Sequence, residues 1–243
     1  MTIRGVLLDL EGVLYQGDAP VDGAVGAVRR LRDAGLGLSF LTNTTTRPRS
    51  HILGRMRAMG FDVDLDDVFS PAMAAGRALG HAGVRRVHLA APASLAEDFA
   101  EFVLVDEDPE AVVVGDLYTE FSWQRLNRLF AMLLGGARLI ALHKNRFCRR
   151  DEGIALDLGP FVAALEYAAG TEAELMGKPS ATFLEMALDA LALEAREAVM
   201  VGDDIEADIG GAQAAGVYAV QVETGKYSPR DREHPSVIPD ARI

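Results

Sequence analysis

Apolar runs of three to five residues, each stopping at a polar cluster, constrain the fold of this chain most. Gly5-Val6-Leu7-Leu8 runs into Asp9-Leu10-Glu11-Gly12-Val13, and Leu36-Gly37-Leu38-Ser39-Phe40 into Leu41-Thr42-Asn43-Thr44. Val199-Met200-Val201 runs into Gly202-Asp203-Asp204. Short continuous apolar runs of this kind read as buried strands. Between them the apolar period becomes helical. Val25, Val28 and Leu31 share a face that Arg29, Arg30 and Asp33 avoid, and Gly35 can stop the helix. A second helix is expected after Thr46 and Pro48, on Ile52, Leu53, Met56 and Met59. Alternating strands and helices imply βα units, hence an α/β fold with a Rossmann-like, mostly parallel sheet.

Open α/β sheets bind ligands outside the carboxyl ends of their strands, which is where the polar clusters fall. Asp9 and Glu11 there can attack an electrophile or hold a hard cation. Thr42 and Asn43 add a hydroxyl and an amide. Gly177-Lys178-Pro179-Ser180 precedes a helical pattern at Phe183, Leu184, Met186, Ala187 and Leu191. A lysine at a helix entrance opposes the helix dipole, and a bound anion would resolve the conflict. Asp203, Asp204, Glu206 and Asp208 crowd four carboxylates into residues 203–208. They repel one another unless a cation or a basic group neutralises them.

These clusters form two blocks, 9–43 and 178–208. The interval between them is too long for a crossover and has βα content of its own. Apolar runs fall at 84–91, 111–115 and 137–143, and helical patterns at 124–134 and 161–169. The expected organisation is a core of residues 1–75 and 175–243 with an α/β domain, 76–174, inserted into it. That insert should shape the substrate pocket. It carries a basic cluster, Lys144, Asn145, Arg146, Arg149 and Arg150, in an acidic protein. Lys144 and Asn145 are its candidates for contact with an anionic substrate. Asp157-Leu158-Gly159-Pro160 reads as a helix cap. Tyr118, Phe121, Trp123 and Phe130 are expected in the core or between insert domains.

The net charge of -12 argues against nucleic acid and anionic membranes as partners, since both want a basic face. No apolar run approaches the ~20 residues of a membrane helix. A single cysteine, Cys148, excludes an intrachain disulfide and fits a reducing compartment. The strand so near the N-terminus is unlike a signal peptide, which makes the expected location cytoplasmic. The five histidines lack zinc-ligand spacing, and there is no P-loop and no Gly-x-Ser-x-Gly.

In this order, the Asp9, Thr42, Lys178 and Asp203 segments resemble the haloacid dehalogenase superfamily of phosphotransferases. The segment Val222-Glu223-Thr224-Gly225-Lys226-Tyr227 resembles its NagD-like subgroup, whose members carry a large cap between the Thr and Lys motifs. The resemblance implies a phosphatase acting on a small phosphorylated compound through an aspartyl-phosphate, with Mg2+ as cofactor. It implies Asp9 as nucleophile and Glu11 at the acid/base position. Thr42, Asn43 and Lys178 would bind phosphate. The metal set would be Asp9, Glu11, Asp203, Asp204 and Asp208, with the Glu11 main-chain carbonyl facing the cation. It also implies a homodimer through the cap. The departure is Glu11, where the family usually has Asp. The alternative is therefore a binding or scaffold protein of the same fold, its turnover reduced by that glutamate.

Overall fold

The computed structural model describes residues 2–150 and 153–243; the side chains of Arg149 and Arg150, two members of the basic cluster, lie outside the described residues. The chain divides into two compact units.

The first unit comprises Met1–Thr42, Arg49–Phe69 and Lys178–Ile243. Its sheet has six strands in the order Ala241–Arg242, Tyr218–Gln221, Ala198–Gly202, Gly5–Asp9, Gly37–Leu41, Val68–Phe69. Every neighbouring pair is parallel. The chain starts in the middle, builds outward to one edge, and later returns to build the other side. The strand order therefore reverses beside Gly5–Asp9, the position where doubly wound sheets open a crevice. Register then places the polar clusters. Asp9 pairs with Leu41 and Leu8 with Val201, so Thr42 and Asp203 each follow a strand end level with Asp9.

Helices Ala24–Asp33 and Arg49–Ala58 bury Val28, Ile52 and Met56 in a core with Leu8, Leu10, Phe40 and Val68. These are the positions that the helical spacing marked. Between the first strand and the first helix, Tyr15–Gln16 and Ala19–Pro20 form a small antiparallel flap.

The second unit comprises Asn43–Pro48 and Ser70–Gly177. Its parallel sheet has the order Glu174–Leu175, Arg138–Ala141, Ala111–Val114, Arg86–Ala90, Val103–Leu104. Helices Trp123–Leu134 and Leu158–Ala169 start at side-chain caps. The Ser122 Oγ accepts from the Arg125 amide at 3.2 Å, and the Asp157 Oδ1 from the Leu158 amide at 2.9 Å. Both helices pack Leu129, Leu158 and Val162 against Val112, Val114 and Leu139. An antiparallel hairpin, Phe147–Arg150 with Gly153–Leu156, stands apart from this sheet.

Units and expected boundaries differ in detail. The segment 43–48 joins the second unit, where the Thr45 Oγ1 accepts from the Asp116 amide at 3.3 Å. The second unit also takes Ser70 to Gly177 rather than 76 to 174. Of the aromatics, Phe121 stacks on Phe161 with centroids 4.0 Å apart, while Trp123 is 73% exposed and takes no part in the core.

Candidate active site

Asp9 ends the Gly5–Asp9 strand, Asp203 follows Ala198–Gly202, and Asp208 lies on the irregular helical turn Ile205–Gly210. One carboxylate oxygen from each lies within 4.8 Å of the others, and all three residues are buried. Lys178, 3% exposed, inserts its ammonium between two of them. It pairs with the Asp9 Oδ1 and lies 2.6 Å from the Asp208 Oδ1. The charge conflict expected for Lys178 at a helix entrance is thus met by two carboxylates.

Burial sets the proton affinities. It pushes the Asp9 carboxyl up to about 7, against the pull of Lys178. It pushes Asp203 up to about 6, opposed by the Lys226 amide. Burial alone would lower Lys178, but Asp208 and Asp9 outweigh it and hold the ammonium above the usual lysine range.

The trio fits a hard divalent cation. All its donors are carboxylate oxygens, and among the described residues the buried Asp203 Oδ1 has no hydrogen-bond partner. An acceptor left so would cost free energy unless something met it. The other Asp203 oxygen is held: Oδ2 accepts from the Lys226 amide at 2.6 Å. Asp208 is held the same way, its Oδ2 accepting from the Asp203 and Asp204 amides at 3.2 and 3.1 Å.

Two of the five expected metal residues do not bring their carboxylates to this trio. Asp204 spends one oxygen on the Glu206 and Ala207 amides, at 3.1 and 3.0 Å, which caps the Ile205–Gly210 turn. Its other oxygen accepts from the Lys226 Nζ at 3.0 Å. Burial would raise its pKa, yet Lys226 and these amides hold it below the usual carboxylate range. Glu11, with its side chain 57% exposed, turns to the flap instead. Its Oε1 accepts from the Gly17 amide at 2.8 Å, and its Oε2 lies 3.9 Å from the Arg55 guanidinium. Arg55 itself lies over the Tyr15 ring, 4.7 Å from its centroid.

Thr42 is buried one residue past the Leu41 that pairs with Asp9, and its amide donates to the Phe69 carbonyl at 3.1 Å. Asn43, Lys144 and Asn145 belong to the second unit. There the Lys144 Nζ donates to both Glu166 oxygens, at 2.8 and 2.6 Å, and lines an open cleft of about 580 Å³. The Asn145 carbonyl accepts from the Gly159 amide at 2.9 Å. Sequence reasoning quoted the 222–227 segment without giving it a role. Yet Thr224 and Lys226 touch the Gly12 turn and Asp203. The Thr-Gly pair after a buried strand was the available signal.

Two family models match the chain: haloacid dehalogenase-like hydrolase over residues 6–104 and HAD-hydrolase-like over residues 175–243. Phospholysine phosphohistidine inorganic pyrophosphate phosphatase of Homo sapiens is 41% identical over 250 aligned residues, spanning 99% of this chain and 90% of that protein. Haloacid dehalogenase-like hydrolase domain-containing protein 2 of Homo sapiens is 44% identical over 95% of this chain and 88% of its own length. Among solved structures, p-nitrophenyl phosphatase from Archaeoglobus fulgidus superposes with a TM-score of 0.93 at 27% identity, covering 100% of this chain and 96% of that one. NagD from E. coli K-12 gives 0.89 at 26%, with coverage of 100% and 96%. Glycerol phosphate phosphatase from Mycobacterium tuberculosis, solved with magnesium, gives 0.85 at 28%, covering 99% of this chain and 74% of that one. The chain belongs to the haloacid dehalogenase-like hydrolases, in the NagD-like subgroup. Its enzyme class is that of a phosphatase.

Proposed function

We propose that this chain is a Mg2+-dependent phosphohydrolase that acts through an aspartyl-phosphate on a small phosphorylated compound: an ester, a phosphoramidate or pyrophosphate. The observation that carries the reading is the buried trio of Asp9, Asp203 and Asp208 with Lys178 inserted and one Asp203 oxygen unpartnered. Asp9, Asp203 and Asp208 would hold the cation, with the Glu11 main-chain carbonyl as the further ligand that family membership suggests. When bound, Mg2+ supplies positive charge that keeps these carboxylates ionised and offsets charge on the phosphoryl oxygens.

The chain's own residues do the rest. Lys178 keeps Asp9 oriented and partly ionised at neutral pH. An Asp9 oxygen attacks phosphorus in line, the bond to the leaving oxygen or nitrogen breaks, and the leaving atom takes a proton from solvent water. Water then attacks the phosphoryl group of the mixed anhydride, returning the Asp9 carboxylate and releasing inorganic phosphate. Thr42 and Lys178 contact the equatorial oxygens, where transition-state charge resides. Glu11 engages Gly17 and Arg55 in this structure, so leaving groups that need little protonation are favoured. Pyrophosphate and aryl phosphates meet that condition by leaving as weakly basic oxyanions, and a phosphoramidate meets it when its nitrogen is protonated from solvent before it leaves; phosphoramidates and pyrophosphate are the compounds named for the human relative.

The same observation supports a second reading, a binding protein whose turnover Glu11 has reduced. Phosphate release from pyrophosphate, phosphohistidine, phospholysine, sugar phosphates and an aryl phosphate, with Mg2+ or EDTA, separates the two. Mg2+-dependent release, lowered at least about 10³-fold by Asp9→Asn, supports the enzyme. No release from any substrate sinks it. The homodimer through the cap is also a proposal, supported by exposed Trp123, Phe147, Ile154 and Leu156 on the second unit. A monomer mass by light scattering would end it.

A further inference from the structure

The segment Thr224-Gly225-Lys226, which follows the neighbouring strand Tyr218–Gln221, closes over Asp203. The Thr224 hydroxyl donates to the Gly12 carbonyl at 2.5 Å, tying this segment to the turn that follows Asp9. The Lys226 amide donates to the Asp203 Oδ2 at 2.6 Å. Gly12 and Gly225 flank the same carboxylate, with φ of +93° and +59°. A Cβ on either would overlap the Asp203 Oδ2, so both backbones approach as only glycine allows. Two glycine backbones and one amide therefore fix the Asp203 carboxylate with Oδ2 occupied and Oδ1 unpartnered.

We infer that Thr224, Gly225 and Lys226 form a strap that positions Asp203 for the cation, with the Thr224 hydroxyl as its fastening and the Lys226 main-chain amide as its grip. This inference rests on the proposed role of Asp203 as a metal ligand. Thr224 is a positioning residue: it touches neither cation nor substrate and acts through the Gly12 turn. The Lys226 side chain does something else. Its ammonium pairs with Asp204, outside the trio. Losing the hydroxyl should loosen the strap and let Asp203 turn. Losing the ammonium should leave the grip intact and remove a positive charge from the cation's neighbourhood.

The test is Mg2+ titration by calorimetry on EDTA-stripped protein, with the metal-free thermal midpoint measured on each variant. Thr224→Val should weaken Mg2+ binding about tenfold, the low end of the loss seen when a group bonded to a metal ligand is removed, because the hydroxyl acts on Asp203 one contact removed. Thr224→Ser should restore native affinity, which a purely steric role for the threonine would not produce. Lys226→Met should bind Mg2+ as tightly as native or more tightly. Native affinity in Thr224→Val overturns the inference, as does a tenfold loss in Lys226→Met. In case Thr224→Val folds poorly, hydrogen exchange of native metal-free protein gives a second measurement. The Lys226 amide should be strongly protected there, and fast exchange overturns the grip. Native protein that binds no Mg2+ at all removes the metal reading itself, an outcome distinct from equal binding by native and variant.

Discussion

Glu11 is longer than aspartate by one methylene, and that length lets its carboxylate reach the Gly17 amide on the flap. The sequence shows the substitution but not the direction, because the direction is set by Gly17 and Arg55, the latter far along the chain. Asp204 is the parallel case. In sequence it is indistinguishable from Asp203 and Asp208, yet a helical turn and Lys226 claim both its oxygens. Asp9, Thr42 and Asp203 are legible because each ends or follows a buried strand whose register sets its level, and Lys178 because it stands just before a helix start. At Glu11, shortening the side chain should break the contact with Gly17 and return the carboxylate toward the leaving group. A displacement of about 1 Å is worth about 10²-fold in rate. Glu11→Asp should therefore raise turnover of an alkyl phosphate by at least about tenfold. It should raise turnover of an aryl phosphate much less, since that leaving group needs little protonation. Steady-state kinetics on the two substrates check this, and an unchanged ratio between them would show that the Glu11 rotamer does not limit the reaction.

Elements with a clear apolar period are legible in sequence; the helix Pro71–His81, rich in alanine and glycine, and the shortest strands are not. Helices Ala24–Asp33 and Trp123–Leu134 carry a full apolar period, whereas the strands Val68–Phe69, Val103–Leu104, Glu174–Leu175 and Ala241–Arg242 have two residues each and no period to read. Such strands exist because a neighbouring strand offers unpaired backbone groups, a tertiary cause. The helix Leu158–Ala169 shows how an element end is tied down. Its Glu166 accepts from Lys144 and, at 2.9 Å, from the Ala173 amide that leads into Glu174–Leu175. Burial alone would raise the pKa of Glu166, but these donors win and hold it below its ordinary 4.5. A lowered carboxylate stabilises the fold above its unfolded pKa, and the contribution disappears as pH falls through the folded value. Glu166→Gln should therefore melt below native protein from pH 6 to 8, and the gap should narrow once the pH drops under about 4.5. Calorimetric midpoints across that range decide it, and a gap that widened in acid would reverse the assignment.

At the scale of the whole molecule, Asp9 meets the distant Asp203 and Asp208 because the strands Gly5–Asp9 and Ala198–Gly202 lie side by side in the sheet. In sequence most of the second unit lies between Val68–Phe69 and Ala198–Gly202, legible as an interval too long for a crossover. Its edges were less legible: the 43–48 segment is short, and only contacts such as Thr45 with Asp116 assign it to the second unit. A cation held by this trio would link Asp9, Asp203 and Asp208, so any opening that separates them must first release it. By mass action, Mg2+ at 100 times its Kd then adds about 2.7 kcal/mol to the folded state over such openings. The amides that report on this are those of Asp203 and Asp204, bonded to Asp208, and that of Lys226, bonded to Asp203. Their hydrogen exchange should slow by up to about 100-fold on saturation with Mg2+, the factor that the same binding free energy implies. Flap amides such as Gly17, which bonds to Glu11 outside the trio, should slow far less. Slowing at Gly17 with none at Asp203, Asp204 and Lys226 would place the cation elsewhere and remove the trio from the site.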